Sequence, residues 1–283
     1  MTAPRPATAF IGVGTMVEAM MDKAIIAGWP REKLLPTHRR ADRRAELAGR
    51  YGLPIGEDNV KAAAAAGLVV VGVRPQQMAG LLRELSPALR PGQVLLSIAA
   101  GLTVEWLAAR VPAGLTIIRV TPPPTARVSA GVTLFSASEG VTAEQRTTVE
   151  ALVEGTCERI EWVPDALMEP ITGVALGLTP YICMVLKTLI ETGVEQGCDE
   201  AFIRRMVADG LRATAKLLTE GGLEPEQVIE MVATHQGLTR SALHTMEVRG
   251  VFAGMRAGAR AMTGRSYELR GEVVPDEHMG FLR

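Results

Sequence analysis

Two glycines, Gly12 and Gly14, stand in the stretch FIGVGTM that runs from Phe10 to Met16. They directly follow a short apolar run. In a dinucleotide turn the first such glycine permits the tight bend after a strand. The second lets the backbone approach a diphosphate that rests on the N-terminus of the next helix. Thr15 and Met16 open that helix, so Gly12, Gly14, Thr15 and Met16 form the first candidate cofactor set. The third small position falls on Val17, which predicts a helix slightly further from the strand than usual. The next strand-like segment ends in THRRADRR, with no acidic residue before the arginines. An acid there would bind a ribose diol; His38, Arg39 and Arg40 instead suit a 2′-phosphate. This favours NADPH and leaves NADH open. The competing reading is a solvated basic helix start, continued by Arg43 and Arg44. A lone Gly-x-Gly is weak evidence, and only its place between strand and helix gives it meaning.

The elements that must hold these residues follow from the pattern of the chain. Its 283 residues are 47% hydrophobic and 4% aromatic, with a formal net charge of -1. That balance offers no footing for nucleic acid or an anionic membrane. Cys157, Cys183 and Cys198 are scattered, which fits a reducing, cytoplasmic setting and no metal site; Cys183 reads as buried and inert. The opening MTAPRPATA lacks the apolar centre of a secretory signal. The uncharged stretch Ile171 to Leu186 contains Pro180 and falls short of the ~18 apolar residues of a spanning helix. It reads as a buried core or a subunit interface.

Short apolar runs alternate with helical patterns as far as Val163: ATAFI, EKLLPTH, GLVVVGV, QVLLSIAAG, LTIIRV, GVTLFSAS and ERIEWV. Pro36 marks its strand as an edge or an end, and Thr103 is a helix N-cap. Alternation of this kind predicts an open parallel sheet covered by helices on both faces. Beyond Pro164 only helical patterns remain. The fold class is therefore α/β plus all-α. Residues 1–164 form a Rossmann-like dinucleotide-binding domain, and 165–283 form a helical substrate and dimerisation domain.

The order of FIGVGTMVEAM, VVVGVRPQQM, LLSIAAGLTVEWL, IIRVTPPPT and LMEPITGVALGLTPYI resembles the pyrroline-5-carboxylate reductase family. Ser97 to Gly101 keep that family's Ser-Ile-Ala-Ala-Gly whole, and Val73-Arg74-Pro75 stand where it has Val-Lys-Pro. The resemblance runs from about Phe10 to Leu269. It implies that Val73, Arg74, Pro75, Ala99, Ala100 and Gly101 line the cofactor, and that Asn59 touches its ribose. It also implies a helical domain that interlocks with a second copy, as a homodimer or higher homo-oligomer.

The departures fall on the substrate motifs. Arg-x-Met-Pro-Asn-Thr-Pro becomes Arg119 to Thr125, with prolines at 122 to 124. Ser-Gly-Ser-Gly-Pro-Ala-Tyr becomes Ala175 to Tyr181, keeping Tyr181 but placing Leu176 and Leu178 among the family's small residues. Lys187 replaces a Glu, and Ser-Pro-Gly-Gly-Thr-Thr becomes Thr234 to Thr239. In the family this last loop holds the substrate carboxylate on backbone N–H groups at a helix start, and its final Thr meets the ring nitrogen. That logic places Thr239 and Tyr181 in catalysis, and Gly237, His235, Gln236 and Leu178 at the substrate. The competing reading of Thr239 is an ordinary helix cap.

An already protonated imine is electrophilic, so its reduction needs no strong acid, whereas a ketone reductase must supply a proton. The expected activity is NAD(P)H-dependent reduction of a cyclic imine or imino acid, with a pocket altered by the bulkier residues. One alternative is a β-hydroxyacid-dehydrogenase type reductase using Lys187 or His235. Its Gly-x-x-x-Lys-x-x-Asn spacing fails here, and Glu191 is placed to pair with Lys187. The other alternative is a non-catalytic dinucleotide-binding paralogue.

Overall fold

The computed structural model describes residues 5–234 and 237–279. His235 and Gln236, two of the expected substrate residues, lie outside them. The chain packs as two compact units. One runs to Leu176 and takes in Ala261–Met279; the other is Gly177–Arg260. The division thus falls after the Pro164 break in the pattern, and the end of the chain returns to the first unit.

The first unit is built on seven strands: β1 (Thr8–Ile11), β2 (Leu34–Thr37), β3 (Leu68–Val71), β4 (Val94–Ser97), β5 (Thr116–Thr121), β6 (Val132–Ala137) and β7 (Arg159–Trp162). Their order is β2-β1-β3-β4-β5-β6-β7. The first five run parallel, which leaves a topological switch point where β1 meets β3. Ligands of open α/β sheets bind outside the strands' carboxyl ends at such a point. Pro36 sits on the edge strand β2, where a missing donor costs least. The register Phe10–Val70–Leu96–Ile118 turns these side chains to one face, and Ala9, Val69, Leu95 and Ile117 to the other. Two buried clusters result, one on each face.

Seven helices or parts of helices cover the sheet or extend it: α1 (Thr15–Ile26), α2 (Ala41–Tyr51), α3 (Asn59–Ala65), α4 (Pro75–Leu85), α5 (Val104–Ala108), α6 (Ala143–Glu150) and α7 (Asp165–Ile171). Their ends are written locally. Gly52 closes α2 at φ 61°. Thr103 Oγ1 accepts the Trp106 N–H at 3.0 Å to start α5, and Thr142 with Gln145 forms a capping box on α6.

The parallel expectation needs one correction. β6 runs antiparallel to β5, with Ile118 opposite Ala137, and β7 follows β6. No crossover helix separates β5 from β6. A single 3-10 segment, Pro124–Val128, and Ser129 at φ 55° reverse the chain instead.

After α7 the chain continues through a π turn, Thr172–Leu176, into α8 (Leu178–Glu195). Pro170 removes a donor just before that widened turn. Pro180 lies in the first turn of α8, where no intrahelical N–H is needed. The stretch Ile171 to Leu186, expected to fall short of a spanning helix, is therefore part of one longer helical run from Asp165 to Glu195. The second unit continues with α9 (Glu200–Thr219), α10 (Pro225–Val232), α11 (Leu238–Val248) and most of α12 (Val251–Arg270). Asp199 caps α9 through the Phe202 N–H at 2.8 Å.

Candidate functional site

At the switch point, the turn from β1 to α1 takes the shape its glycines predict. Gly12 has φ 76°, which an L side chain rarely adopts. A Cβ at Gly12 would lie 3.0 Å from Val73 Cγ1. The Gly14 N–H donates to Gly12 O at 2.7 Å, and Gly14 O receives the Glu18 N–H at 2.8 Å, which starts α1. Gly14 and Thr15 are exposed. The N–H groups of Thr15, Met16 and Val17 have no partner within the helix and stand at its positive end. Cradle, glycine and helix end together fit the diphosphate of a dinucleotide.

Val17 does not hold α1 away from the sheet. It is buried among the core residues and packs where a side chain on Gly72 would be: a Cβ there would fall 2.0 Å from Val17 Cγ2. This is a correction to the expectation of a wider helix–strand gap.

The basic stretch after β2 is largely occupied by the protein itself. Arg40 grips Asp42, its Nε lying 3.1 Å from Oδ1. That guanidinium holds the Asp42 carboxyl down at about 2. Arg43 pairs with Glu18 and Glu46. Arg44 donates to His38 O and Arg39 O at 3.1 and 3.0 Å and pairs with Glu57 at 2.8 Å. His38 Nδ1 accepts the Arg40 N–H at 3.1 Å. Arg39 is exposed, and its guanidinium has no hydrogen-bond or ion-pair partner among the described residues.

Asn59 is the first residue of α3, and Asp58 rather than Asn59 caps that helix. The Asn59 side chain accepts from Thr37 Oγ1 at 2.7 Å and donates to Glu84 Oε1 at 3.0 Å. It thus stands beside the end of β2. Arg74 and Pro75 form the cap and first residue of α4, with Arg74 exposed. Ala99, Ala100 and Gly101 follow β4, and Gly101 has φ 80°. All the expected cofactor residues therefore gather at the carboxyl ends of β1 to β4.

Beside them lies a feature that sequence reasoning missed. The last turns of α12 pack against Gly101: a Cβ there would meet Leu269 Cδ1 at 3.1 Å, and Arg270 donates to Gly101 O at 2.9 Å. A cavity of about 180 Å³ opens here, lined by Ala100, Gly101, Thr121, Glu169, Ser266 and neighbouring residues. Glu169 Oε1 lies 2.5 Å from the buried Arg119, which also meets Asp165 at 2.6 Å. Asp165 in turn accepts the Val104 N–H at 2.8 Å. Acids at 165 and 169 on α7 were visible in the sequence, but nothing there names Arg119 as their partner.

In the second unit, Thr239 is the second residue of α11, and Gly237 is the cap. The hydroxyl of Thr239 is exposed and makes no hydrogen bond among the described residues, so it is not an ordinary helix cap. The Gly237 N–H is taken by Thr234 O at 3.0 Å. The free amides of this helix start are those of Leu238, Thr239 and Arg240. Arg240 turns its guanidinium back to Ala233 O at 2.8 Å. Tyr181 and the half-exposed Leu178 sit in the first turn of α8. Lys187 pairs with Glu191 at 3.7 Å on an exposed face, as an ordinary ion pair. Cys183 is exposed, contrary to the buried reading. A groove of about 720 Å³ runs between α8 and α9. No group of three or more metal-ligating side chains occurs among the described residues.

A glycine turn at the switch point of a parallel sheet, followed by a helical second unit, defines a dinucleotide-dependent oxidoreductase of two units. Two family models match the chain. Pyrroline-5-carboxylate reductase dimerisation matches residues 165–269, and NADP oxidoreductase coenzyme F420-dependent matches residues 7–101. Among curated relatives, pyrroline-5-carboxylate reductase of Corynebacterium melassecola is 28% identical, over 92% of this chain and 97% of its own. That of Pseudomonas aeruginosa is 26% identical over 95% and 98%. Among solved structures, the 1-pyrroline-5-carboxylate reductase of Streptococcus pyogenes superposes with a TM-score of 0.83 at 22% identity, covering 93% of this chain and 98% of that one. The pyrroline carboxylate reductase of Plasmodium falciparum, solved with NADP bound, gives 0.81 at 18%, covering 94% and 98%. The chain is thus similar to pyrroline-5-carboxylate reductases over nearly its whole length, and its residues 165–269 match that family's dimerisation domain.

Proposed function

We propose that this protein is an NAD(P)H-dependent reductase that converts 1-pyrroline-5-carboxylate, or a related cyclic imine, to the saturated ring amine. Bound at the β1–α1 turn, the coenzyme supplies the hydride that the imine carbon receives. The protein's own part is positional. The α1 amides and Gly12 hold the diphosphate, and Gly101 with its neighbours bounds the space at the carboxyl ends of the strands. The Thr239 hydroxyl is able both to donate and to accept, so it follows the ring nitrogen from imine to amine. The free amides of Leu238, Thr239 and Arg240 offer an anion the positive end of α11. Tyr181 and Leu178 bound the organic part of the substrate.

The observation that carries this reading is Thr239 itself. Its hydroxyl is exposed and has no hydrogen-bond partner among the described residues, one residue inside the start of a helix, in a chain that matches curated reductases nearly end to end. We further propose a cytoplasmic homodimer or higher homo-oligomer joined through the helical unit, with NADPH preferred.

The test is a panel of cyclic imines, with and without a carboxylate, assayed with NADPH and NADH. Thr239→Ala is expected to lower kcat by about 10- to 100-fold, the worth of one hydrogen bond to a charged group, while leaving the coenzyme Kd unchanged. Equal turnover by wild type and variant would remove Thr239 from the chemistry. Coenzyme binding with no turnover of any imine would favour a non-catalytic role.

A further inference from the structure

We infer that Gly72, at the exit of β3, acts as the third glycine of the dinucleotide turn, supplied from the neighbouring strand to admit Val17 and thereby set where the diphosphate-binding amides stand. The inference rests on the reading of the β1–α1 turn as a coenzyme cradle. In the usual fingerprint the third small residue lies on the helix and gives close helix–strand packing. Here that position is Val17, a branched side chain 1% exposed. Space for it comes from across the interface. A Cβ on Gly72 would stand 2.0 Å from Val17 Cγ2 and 3.1 Å from Ile98 Cδ1.

Sheet geometry makes this placement systematic. Val71 faces the cluster that contains Ala9 and Ile11. The next residue, Gly72, therefore faces the other side, where Val17 packs with Phe10 and Val70. Val17 has little room to yield, because a β-branched side chain on a helix has one strongly preferred rotamer. A bulkier residue at 72 would have to move the helix.

What the helix would carry with it is the cradle. Val17 is the third residue of α1, so its own N–H is one of the free donors of the first turn. Displacing its side chain displaces that amide and those of Thr15 and Met16. The adjacent Val73 adds a second point of fit, because its Cγ1 stands 3.0 Å from where a Cβ on Gly12 would be. Gly72 and Val73 thus meet the turn and the helix together. Gly72 is a positioning residue, acting through Val17.

The experiment compares wild type, Gly72→Ala, Val17→Ala and the double variant. It measures the NADPH Kd by calorimetry, KM for NADPH and for the imine, and thermal melting without coenzyme. Gly72→Ala is expected to weaken NADPH binding about tenfold or more, the effect of one overpacked methyl transmitted to the cradle. KM for the imine should stay unchanged. Adding Val17→Ala should restore NADPH binding to within about threefold of wild type, because the two sites are in contact and couple. A purely structural role would lower the melting temperature and leave Kd and KM for NADPH unmoved, which would overturn the proposal. So would a folded double variant that binds as weakly as Gly72→Ala alone. Should Gly72→Ala fail to fold, the double variant decides: folded with wild-type binding upholds the proposal, and unfolded refutes it. Failure of the wild type to bind NADPH would instead sink the coenzyme reading beneath it.

Discussion

At the scale of single residues, we propose that discrimination between the coenzymes falls to Arg39. Four other basic side chains lie close in sequence, but Arg40, Arg43 and Arg44 are engaged by Asp42, Glu18, Glu46 and Glu57, and His38 accepts the Arg40 N–H. Releasing those arginines for a 2′-phosphate would break pairs that already exist. Arg39 is free to turn toward it. Arg39→Glu is expected to raise KM for NADPH about tenfold, the worth of a charge-assisted hydrogen bond, with KM for NADH little changed. Paired steady-state assays check it, and an unchanged KM ratio would return the preference to another residue. The sequence pointed to this stretch because side-chain charge is a local property. It did not single out Arg39, because two of the other arginines are also held by partners distant in sequence: Glu18 meets Arg43 across 25 positions, and Glu57 meets Arg44 across 13. The same holds for Arg119, whose buried place between Asp165 and Glu169 depends on packing that no spacing rule contains.

At the scale of elements, α1 and α2 are clamped by one acid. Glu18 in α1 accepts from Arg50 at 2.8 Å and from Tyr51 Oη at 3.1 Å, and it pairs with Arg43; all three donors are on α2. The clamp joins α1, the helix proposed to present the diphosphate amides, to the helix that follows Arg39. Burial, then the neighbouring Asp22 and Glu18 carboxylates, push the Tyr51 phenol well above its ordinary value of 10.0. The folded protein therefore favours the neutral phenol. Its contribution is complete below pH 10 and is lost above it, as the unfolded chain ionises first. Tyr51→Phe is expected to cost about 1 kcal/mol at neutral pH, one hydrogen bond. Above pH 10 its stability should fall less steeply than that of the wild type. Urea titrations at pH 8 and at higher values up to about pH 11 read this out, and parallel slopes would disprove it. Elements of this kind were largely legible. Short apolar runs and glycine stops located all seven described strands, because those signals are written within each segment. The reversal of β6 was not legible, since alternation does not encode strand direction. Nor was the return of Ala261–Met279 to the first unit, a contact between distant parts of the chain.

At the scale of the whole molecule, the second unit presents apolar surface that a single chain leaves in water. Met184 and Phe202 are 62% and 48% exposed, and Leu189, Met206 and Leu211 are exposed with them. The helical run Asp165–Glu195 is long and apolar enough, by length and composition, to cross a membrane, yet only 11% of its most apolar window is buried. Two kinds of environment would cover it: lipid or another copy of the chain. Its interior speaks for the copy. Lys187 and Glu191 form an ion pair on the same helix, and a charged side chain in the hydrocarbon centre is costly. The dimerisation family model that matches residues 165–269 covers the same surface. Large contiguous apolar patches mark association sites in soluble proteins, and a closed homodimer would bury this one against itself. Without detergent, light scattering should therefore give a mass that is a multiple of 30.2 kDa. The melting temperature should rise with protein concentration, because assembly stabilises the fold by mass action. Met184→Glu with Phe202→Glu should shift the mass to a single 30.2 kDa chain and abolish that concentration dependence. A wild type that is monomeric at micromolar concentration, or recovered only in detergent, would overturn this assignment of the helical surface.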